Sequence, residues 1–334
     1  MTVRLDSTSV DGVSRHGPDR YVDDASVADG KLVSLLTTAL HSIDGEAAAI
    51  GAATGDRIEL VWRGRLAGAA VNERTVFYGA SVIKQFIGVA AARTILERVA
   101  RIDDPIARWL PELPAWMNTV RLDHLVHHTS GLPDLTDPTR GVPGSNAQVV
   151  ERFRGQPALR IEPGARFAYN NAGYVLLAEA LARSRRQPVQ EMVAELVMPL
   201  GLPHTRFGDP AICLPDRPDP PGTIGDGGLW TSVGDLTRWL QACNEAAFGA
   251  DTQQLSESTA SLTDGSHVNY AWGVRVTSSS AGRMITHGGS WDTWLAKTVR
   301  LPKRHVAVAV LSVGSTELEV SRTGTDLAAG IASL

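Results

Sequence analysis

Cysteine is nearly absent from this 334-residue chain, and the two present, Cys213 and Cys243, share no metal-ligand or redox spacing. Neither a disulfide scaffold nor a zinc ribbon can be built from them, so two reduced thiols are expected and no metal or other cofactor is implied. Lysine is also scarce: four residues (Lys31, Lys84, Lys297 and Lys303) within a combined Lys and Arg count of 32. Arginine carries the basic charge, in no run that interleaves with aromatics. With a net charge of −4, that gives no footing for a nucleic-acid partner. No apolar stretch approaches a bilayer span, which excludes a membrane-embedded helix. The first 24 residues, MTVRLDSTSVDGVSRHGPDRYVDD, lack the apolar core of a secretory signal, so a cytoplasmic location is expected.

A hydrophobic content of 43% allows a substantial core, read here as two interleaved subdomains. A first helix is expected at about 30–43. The segments AAAIGAA and RIELVWRG then alternate about Gly55-Asp56 as a hairpin. From about 102 to 220 helical stretches alternate with Pro/Gly-rich loops, and strands return at YAWGVRVT, RMITHGG, TWLAKTVRL and HVAVAVLSV before a helix from about 316. Strands at both ends imply an α/β (α+β) fold. One antiparallel sheet from N- and C-terminal segments (about 30–101 and 221–334) is flanked by helices, with a mostly helical subdomain (about 102–220) inserted. Residues 1–29 are read as a flexible arm or an extra edge segment, and 30–334 as a single catalytic domain.

The stretch FYGASVIKQFIGVAAARTILERV places Ser81 and Lys84 three apart at the start of a helix apolar enough to be buried. A serine hydroxyl is a poor nucleophile until a neighbour takes its proton. A lysine does so when burial and nearby positive charge favour its neutral form. The plainer reading makes Ser81 a helix cap and Lys84 a surface-seeking chain. Two further segments shift the balance. FAYNNAGYVLLAEALA sets Tyr169 and Asn171 ahead of an apolar helix, and MITHGGSW sets His287, Gly288, Gly289, Ser290 and Trp291 at a strand end.

In chain order these are Ser-x-x-Lys, Tyr-x-Asn and His-x-Gly, a combination that resembles the serine β-lactamase and penicillin-binding protein superfamily. The closer resemblance is to its class C β-lactamase-like branch of esterases and D-amino-acid peptidases, the S12 peptidase family. The segments LVHHTSGLPD, PLGLPHTRFGD and GDGGLWTSVGDLTRWL follow in the family's order, so the resemblance runs from about residue 32 to the C-terminus. It implies that Ser81 is the nucleophile, Lys84 its proton-handling partner, Tyr169 a phenolic base or relay, and Asn171 a contact to the acyl side of the substrate. It also implies that the backbone N–H groups of Ser81 and Ser290 form an oxyanion hole.

His287 stands where many β-lactamases carry a lysine. It is expected to hydrogen-bond a substrate carboxylate or the Tyr169 phenol, with less positive charge than lysine. Gly288 and Gly289 would let a substrate lie close to the strand edge. Trp291 and Trp294 are candidates to line an acyl pocket. His128 is read as a structural turn residue bonded to backbone, Ser232 and Asp235 as a helix cap, Lys297 as one strand too late to act, and the loop DPAICLPDRPDPPGTIGDGG as bordering the cleft. The expected partner is a small-molecule ester or amide, with hydrolysis and acyl transfer both open and the oligomeric state undetermined. Alternatives are a β-lactamase or DD-peptidase, and a non-catalytic binding homologue. Ser81→Ala should leave circular dichroism unchanged, because loss of a cap costs about 1 kcal/mol. Hydrolysis of p-nitrophenyl acetate should fall by about 10³-fold or more.

Overall fold

The computed structural model describes residues 12–16, 27–136, 141–159, 161–208, 211, 212, 214 and 217–334. At its centre is an antiparallel sheet of eight strands. They are β1 (Gly12–His16), β2 (Ala47–Thr54), β3 (Arg57–Leu66), β4 (Ala69–Ala70, paired only to β3), β10 (Arg275–Ser279), β11 (Gly282–Trp291), β12 (Trp294–Leu301) and β13 (Val306–Val313). Their order is β1-β3-β2-β13-β12-β11-β10, so the first and last parts of the chain meet where β2 pairs with β13.

Strand β13 shows why the sheet is covered on both faces. In VAVAVLSV, Val306, Val308 and Val310 join the core beneath α1 (Val27–His41) and α9 (Glu317–Ile331), whereas Ala307, Ala309 and Leu311 belong to the core on the opposite face. The period of two sorts bulky from small side chains. Small residues on the second face let α7 (Val233–Asn244) come close: a Cβ at Gly51 would collide with Thr237 Oγ1. On the first face Leu32, Leu36 and Leu40 recur every four residues along α1 and form its apolar stripe.

Over the second face lies α2 (Ile83–Leu96), in which every residue from Ile83 to Ala92 is buried. Behind it the helical part of the chain contributes α3 (Leu122–Val126), α4 (Asn146–Arg154), α5 (Asn171–Arg185) and α6 (Val189–Val197). A small sheet of β5 (Val76–Tyr78), β6 (Arg206–Phe207) and β7 (Leu229–Ser232) leads into α2. Helix α8 (Ala250–Ser256) and the ribbon of β8 (Ala260–Ser261) and β9 (His267–Val268) flank its other side. Among the described residues no helix is long and apolar enough to cross a membrane.

Residues 1–29 are read from sequence as a flexible arm or an extra edge segment, and the described strand within them is an edge segment. Gly12–His16 pairs antiparallel with β3, from Gly12 opposite Trp62 to His16 opposite Ile58, which gives β3's outer backbone groups hydrogen-bonding partners. Helix α1 already begins at Val27, and β10 begins at Arg275, so Tyr270–Gly273 lie outside a strand. Cys213 and part of the loop 209–228 lie outside the described residues. Cys243 is buried as a free thiol, which burial pushes up to about 12. Ser232 does cap α7, accepting from the Asp235 N–H.

Glycines separate local propensity from packing. Gly30 in α1 has nothing within 4 Å of an added Cβ, whereas a Cβ at Gly88 in α2 would strike the Trp272 carbonyl. Gly30→Ala should therefore stabilise by about 0.5–1 kcal/mol. The same exchange at Gly88 should destabilise by about 1–3 kcal/mol despite the better helix former. Melting temperatures of the two variants, moving in opposite directions, check this.

Candidate active site

The turn that presents Ser81 is held by backbone. After β5 the Gly79 N–H donates to the Leu229 carbonyl at 2.8 Å, and Ala80 adopts φ +44°, a left-handed conformation uncommon for a residue with a Cβ. Ser81 then sits in a 3₁₀ turn, Ala80–Val82, that runs directly into α2. Within this turn the Val82 N–H donates back to the Gly79 carbonyl at 3.0 Å, whereas the Ser81 N–H stands in the first turn, where a helix provides no acceptor of its own. From the other side β11 presses against this turn: a Cβ at Gly289 would overlap the Gly79 carbonyl oxygen. The missing side chain of Gly289 thus admits protein backbone, rather than the substrate the sequence suggested.

Lys84 does not reach water; it is fully buried. Its Nζ lies 2.9 Å from Asn171 Oδ1, 2.9 Å from the Asp226 carbonyl oxygen and 3.0 Å from Ser81 Oγ. The first two partners can only accept, so two of the amine's hydrogens are committed to them. The remaining position, a third hydrogen or a lone pair, is aimed at Ser81 Oγ. The same contact orients Asn171: with Oδ1 turned to Lys84, its NH₂ group is left to donate elsewhere. Asn171 is the first residue of α5, and the Asp134 carboxylate anchors that helix start by accepting from the Asn171 and Ala172 N–H groups at 3.1 and 3.2 Å. Burial raises the Asp226 carboxyl's pKa, with the nearby Lys84 charge opposing the rise.

Tyr169 is 38% exposed, and its ring centroid lies 5.1 Å from Lys84 Nζ. Its phenol makes no hydrogen bond to protein among the described residues. Behind it stands an aromatic cluster of His128, Tyr174, Tyr270 and His287. His287 therefore behaves differently from expectation. Its Nδ1 is 2.6 Å from the Gly288 carbonyl, which can only accept, so Nδ1 carries the hydrogen and Nε2 accepts from the Tyr270 hydroxyl at 2.9 Å. The phenol it meets is Tyr270, not Tyr169, and neither nitrogen is left for a substrate carboxylate. Burial, then repulsion from Lys84, pushes the His287 imidazole down to about 3, so it stays neutral at ordinary pH.

Strand β11 offers an open edge beside this cluster. Strand β10 pairs with it only as far as Thr286, opposite Arg275, which leaves 287–291 without a partner on that side among the described residues. Gly288 and Ser290 are exposed there. Trp291 is half-buried, with an indole N–H that has no partner among the described residues. Trp294, by contrast, is a core residue, packed edge-on against Phe77 and Trp230 at 6.4 and 5.5 Å. Lys297 lies on β12 opposite Gly288 with its stem against Gly324 of α9, away from Ser81.

Sequence reasoning brought together Ser81, Lys84, Tyr169, Asn171 and the β11 segment, but missed three groups. The Asp226 carbonyl is a backbone atom and carries no side-chain signature. Tyr270 lies before β10 and meets His287 only in the folded chain, a contact invisible in one dimension. Arg275, at the end of the open edge, stacks its guanidinium over Phe167 and Tyr270 at 5.7 and 5.8 Å and makes no ion pair among the described residues.

A model of the beta-lactamase family matches residues 37–332. Penicillin-binding protein 4* of Bacillus subtilis is 25% identical over 69% of this chain and 59% of its own length. The D-alanyl-D-alanine-carboxypeptidase/endopeptidase AmpH of Escherichia coli is 27% identical over 48% of this chain and 47% of its own. Esterase EstB of Burkholderia gladioli is 31% identical over 41% and 40%. The chain thus spans between two fifths and three fifths of the length of these three relatives. Among solved structures, a beta-lactamase/D-alanine carboxypeptidase from Yersinia pestis superposes with TM-score 0.77 at 16% identity over 92% of this chain and 99% of that one. The octameric penicillin-binding protein homologue from Pyrococcus abyssi gives 0.75 at 22% over 90% and 77%. These likenesses carry the fold.

The neutral imidazoles make a pH prediction. Burial pushes His287 down to about 3, and His124 and His127 to about 4, from an ordinary 6.5. Between these limits the unfolded chain binds protons that the folded one refuses, so stability is complete above about 6.5 and declines as pH falls toward 4. The melting temperature should drop across that window, with a shallower slope in His287→Asn.

Proposed function

This chain belongs to the beta-lactamase family, and we propose that it is a serine hydrolase acting on a small ester or amide through an acyl-enzyme on Ser81. The observation that carries the proposal is Lys84 Nζ at 3.0 Å from Ser81 Oγ, with its two other hydrogens held by Asn171 and Asp226. In the amine form the lone pair faces the hydroxyl and takes its proton as Oγ attacks the substrate carbonyl. The backbone N–H groups of Ser81 and Ser290 stabilise the oxyanion, and the free NH₂ of Asn171 donates to the acyl side. Collapse of the tetrahedral adduct breaks the bond to the leaving alcohol or amine, which receives the proton through Lys84 and the Tyr169 phenol. Water, or another nucleophile, then repeats the sequence on the acyl-enzyme and frees Ser81.

Because His287 is neutral and internally satisfied, the strand itself offers no cation to a substrate. This favours esters and amides over penicillins. A second reading, an acyl-peptide with a free terminal carboxylate, is favoured by the unpaired Arg275 guanidinium at the end of the open edge, and by relatives named as D-alanyl-D-alanine carboxypeptidases. The deciding measurement is kcat/KM for p-nitrophenyl butyrate, nitrocefin and an N-acyl-D-Ala-D-Ala peptide on one preparation, with Ser81 acylation followed by mass. Ester turnover well above nitrocefin supports the first reading. Peptide turnover that falls about tenfold or more in Arg275→Gln, with ester turnover unchanged, selects the second. Efficient nitrocefin hydrolysis with negligible ester and peptide rates would overturn both.

A further inference from the structure

His128 is held differently from any other residue behind the site. It is 1% exposed and has φ +56°. It bonds to the chain on both sides of Tyr169: the Ala168 N–H donates to the His128 carbonyl at 2.9 Å, and the Asn170 N–H donates to His128 Nδ1 at 3.1 Å. Between these two bonds the imidazole packs on the Tyr169 ring itself, with centroids 4.3 Å apart at 40°. Since Nδ1 accepts, Nε2 carries the hydrogen, and that N–H has no acceptor among the described residues although it is buried among Tyr169, Tyr174 and Tyr270. Leaving a buried donor unmet is costly, and a residue serving only as a turn has no need of it. A glycine or asparagine would make the turn at this φ with less strain.

We propose that His128 is a positioning residue for the reaction: it clamps residues 168 and 170 and backs the Tyr169 ring, so fixing the phenol relative to Lys84 and Ser81. This rests on the acyl-enzyme reading above. Burial drives the His128 imidazole's pKa well below its ordinary value, reinforced by the charges of Lys84 and other neighbours. Nδ1 therefore remains an acceptor and the clamp stays closed at working pH. Asn170, the next residue, passes the constraint on: its Oδ1 caps α5 by accepting from the Gly173 N–H at 2.7 Å, and its NH₂ donates to the Leu132 carbonyl at 2.7 Å. Asn170 thus keeps the start of α5 in place through bonds of its own, so the part of the frame that depends on the imidazole is Tyr169.

The test is a double-mutant cycle read by the rate constant for Ser81 labelling with a fluorophosphonate. In the Tyr169 chain, His128→Gly, which suits the positive φ and leaves an imidazole-sized hole, should slow labelling by about 10²-fold, the cost of a misplaced catalytic group. In the Tyr169→Phe background it should matter by about twofold or less, the scatter of independent sites. Added imidazole should restore the rate only where Tyr169 is present. If circular dichroism shows the glycine variant unfolded, His128→Asn, which tolerates the same φ, gives the same comparison. Equal losses in both backgrounds, or no loss in either, would overturn the assignment. Labelling that persists in Ser81→Ala would instead overturn the acyl-enzyme reading on which it rests.

Discussion

A single amine holds the candidate site together. Lys84 Nζ is taken out of water at the buried start of α2, and three oxygens replace its hydration: one from the turn that leads into its own helix, one from the start of α5 and one from the backbone at Asp226. An unpaired ammonium there would be strongly destabilising, so each acceptor is a structural requirement in its own right. The requirement reaches outward. Asn171 must open α5, Asp134 must anchor that opening, and the chain after Gly225 must turn its carbonyl inward. The helical subdomain and the sheet are thereby joined at one nitrogen.

Around that nitrogen, the electrostatics are arranged by withholding charge. His287 and His128 are both kept neutral by burial beside Lys84, and each has one ring nitrogen assigned by a backbone contact: a carbonyl in one case, an N–H in the other. Neutral imidazoles spend no desolvation energy on a second cation and do not raise the cost of Lys84's own charge. The remaining fixed positive charge lies at the edge of the cleft on Arg275, stacked on aromatic faces where its desolvation is partial.

The sequence conveyed what is local or periodic. The alternation of Val306–Val313, the hairpin about Gly55-Asp56 and the three-residue step from Ser81 to Lys84 were readable because each lies within a few residues of itself. Non-local facts were not readable. The pairing of Gly12–His16 with β3 joins segments some 45 residues apart, and composition alone suggested a loose arm as readily as a strand. Trp294 and Trp291 looked equivalent, and they stand directly opposite each other on one face of the sheet, yet Trp294 is packed into the core on β12 while Trp291, on the strand with the open edge, stays half-buried. His287 was legible as a substitute for a lysine, yet not as the partner of Tyr270, because a histidine's tautomer is decided by neighbours that only the fold supplies.

The close approach of Gly289 to the Gly79 carbonyl sets the spacing between the turn that carries Ser81 and strand β11 by main chain against main chain. Main-chain atoms have no rotamers, so this gauge cannot be reset by repacking, and it does not depend on which side chains occupy the cleft. Side chains at Trp291, Arg275 or Tyr169 can be exchanged while the spacing between that turn and the strand stays where it is.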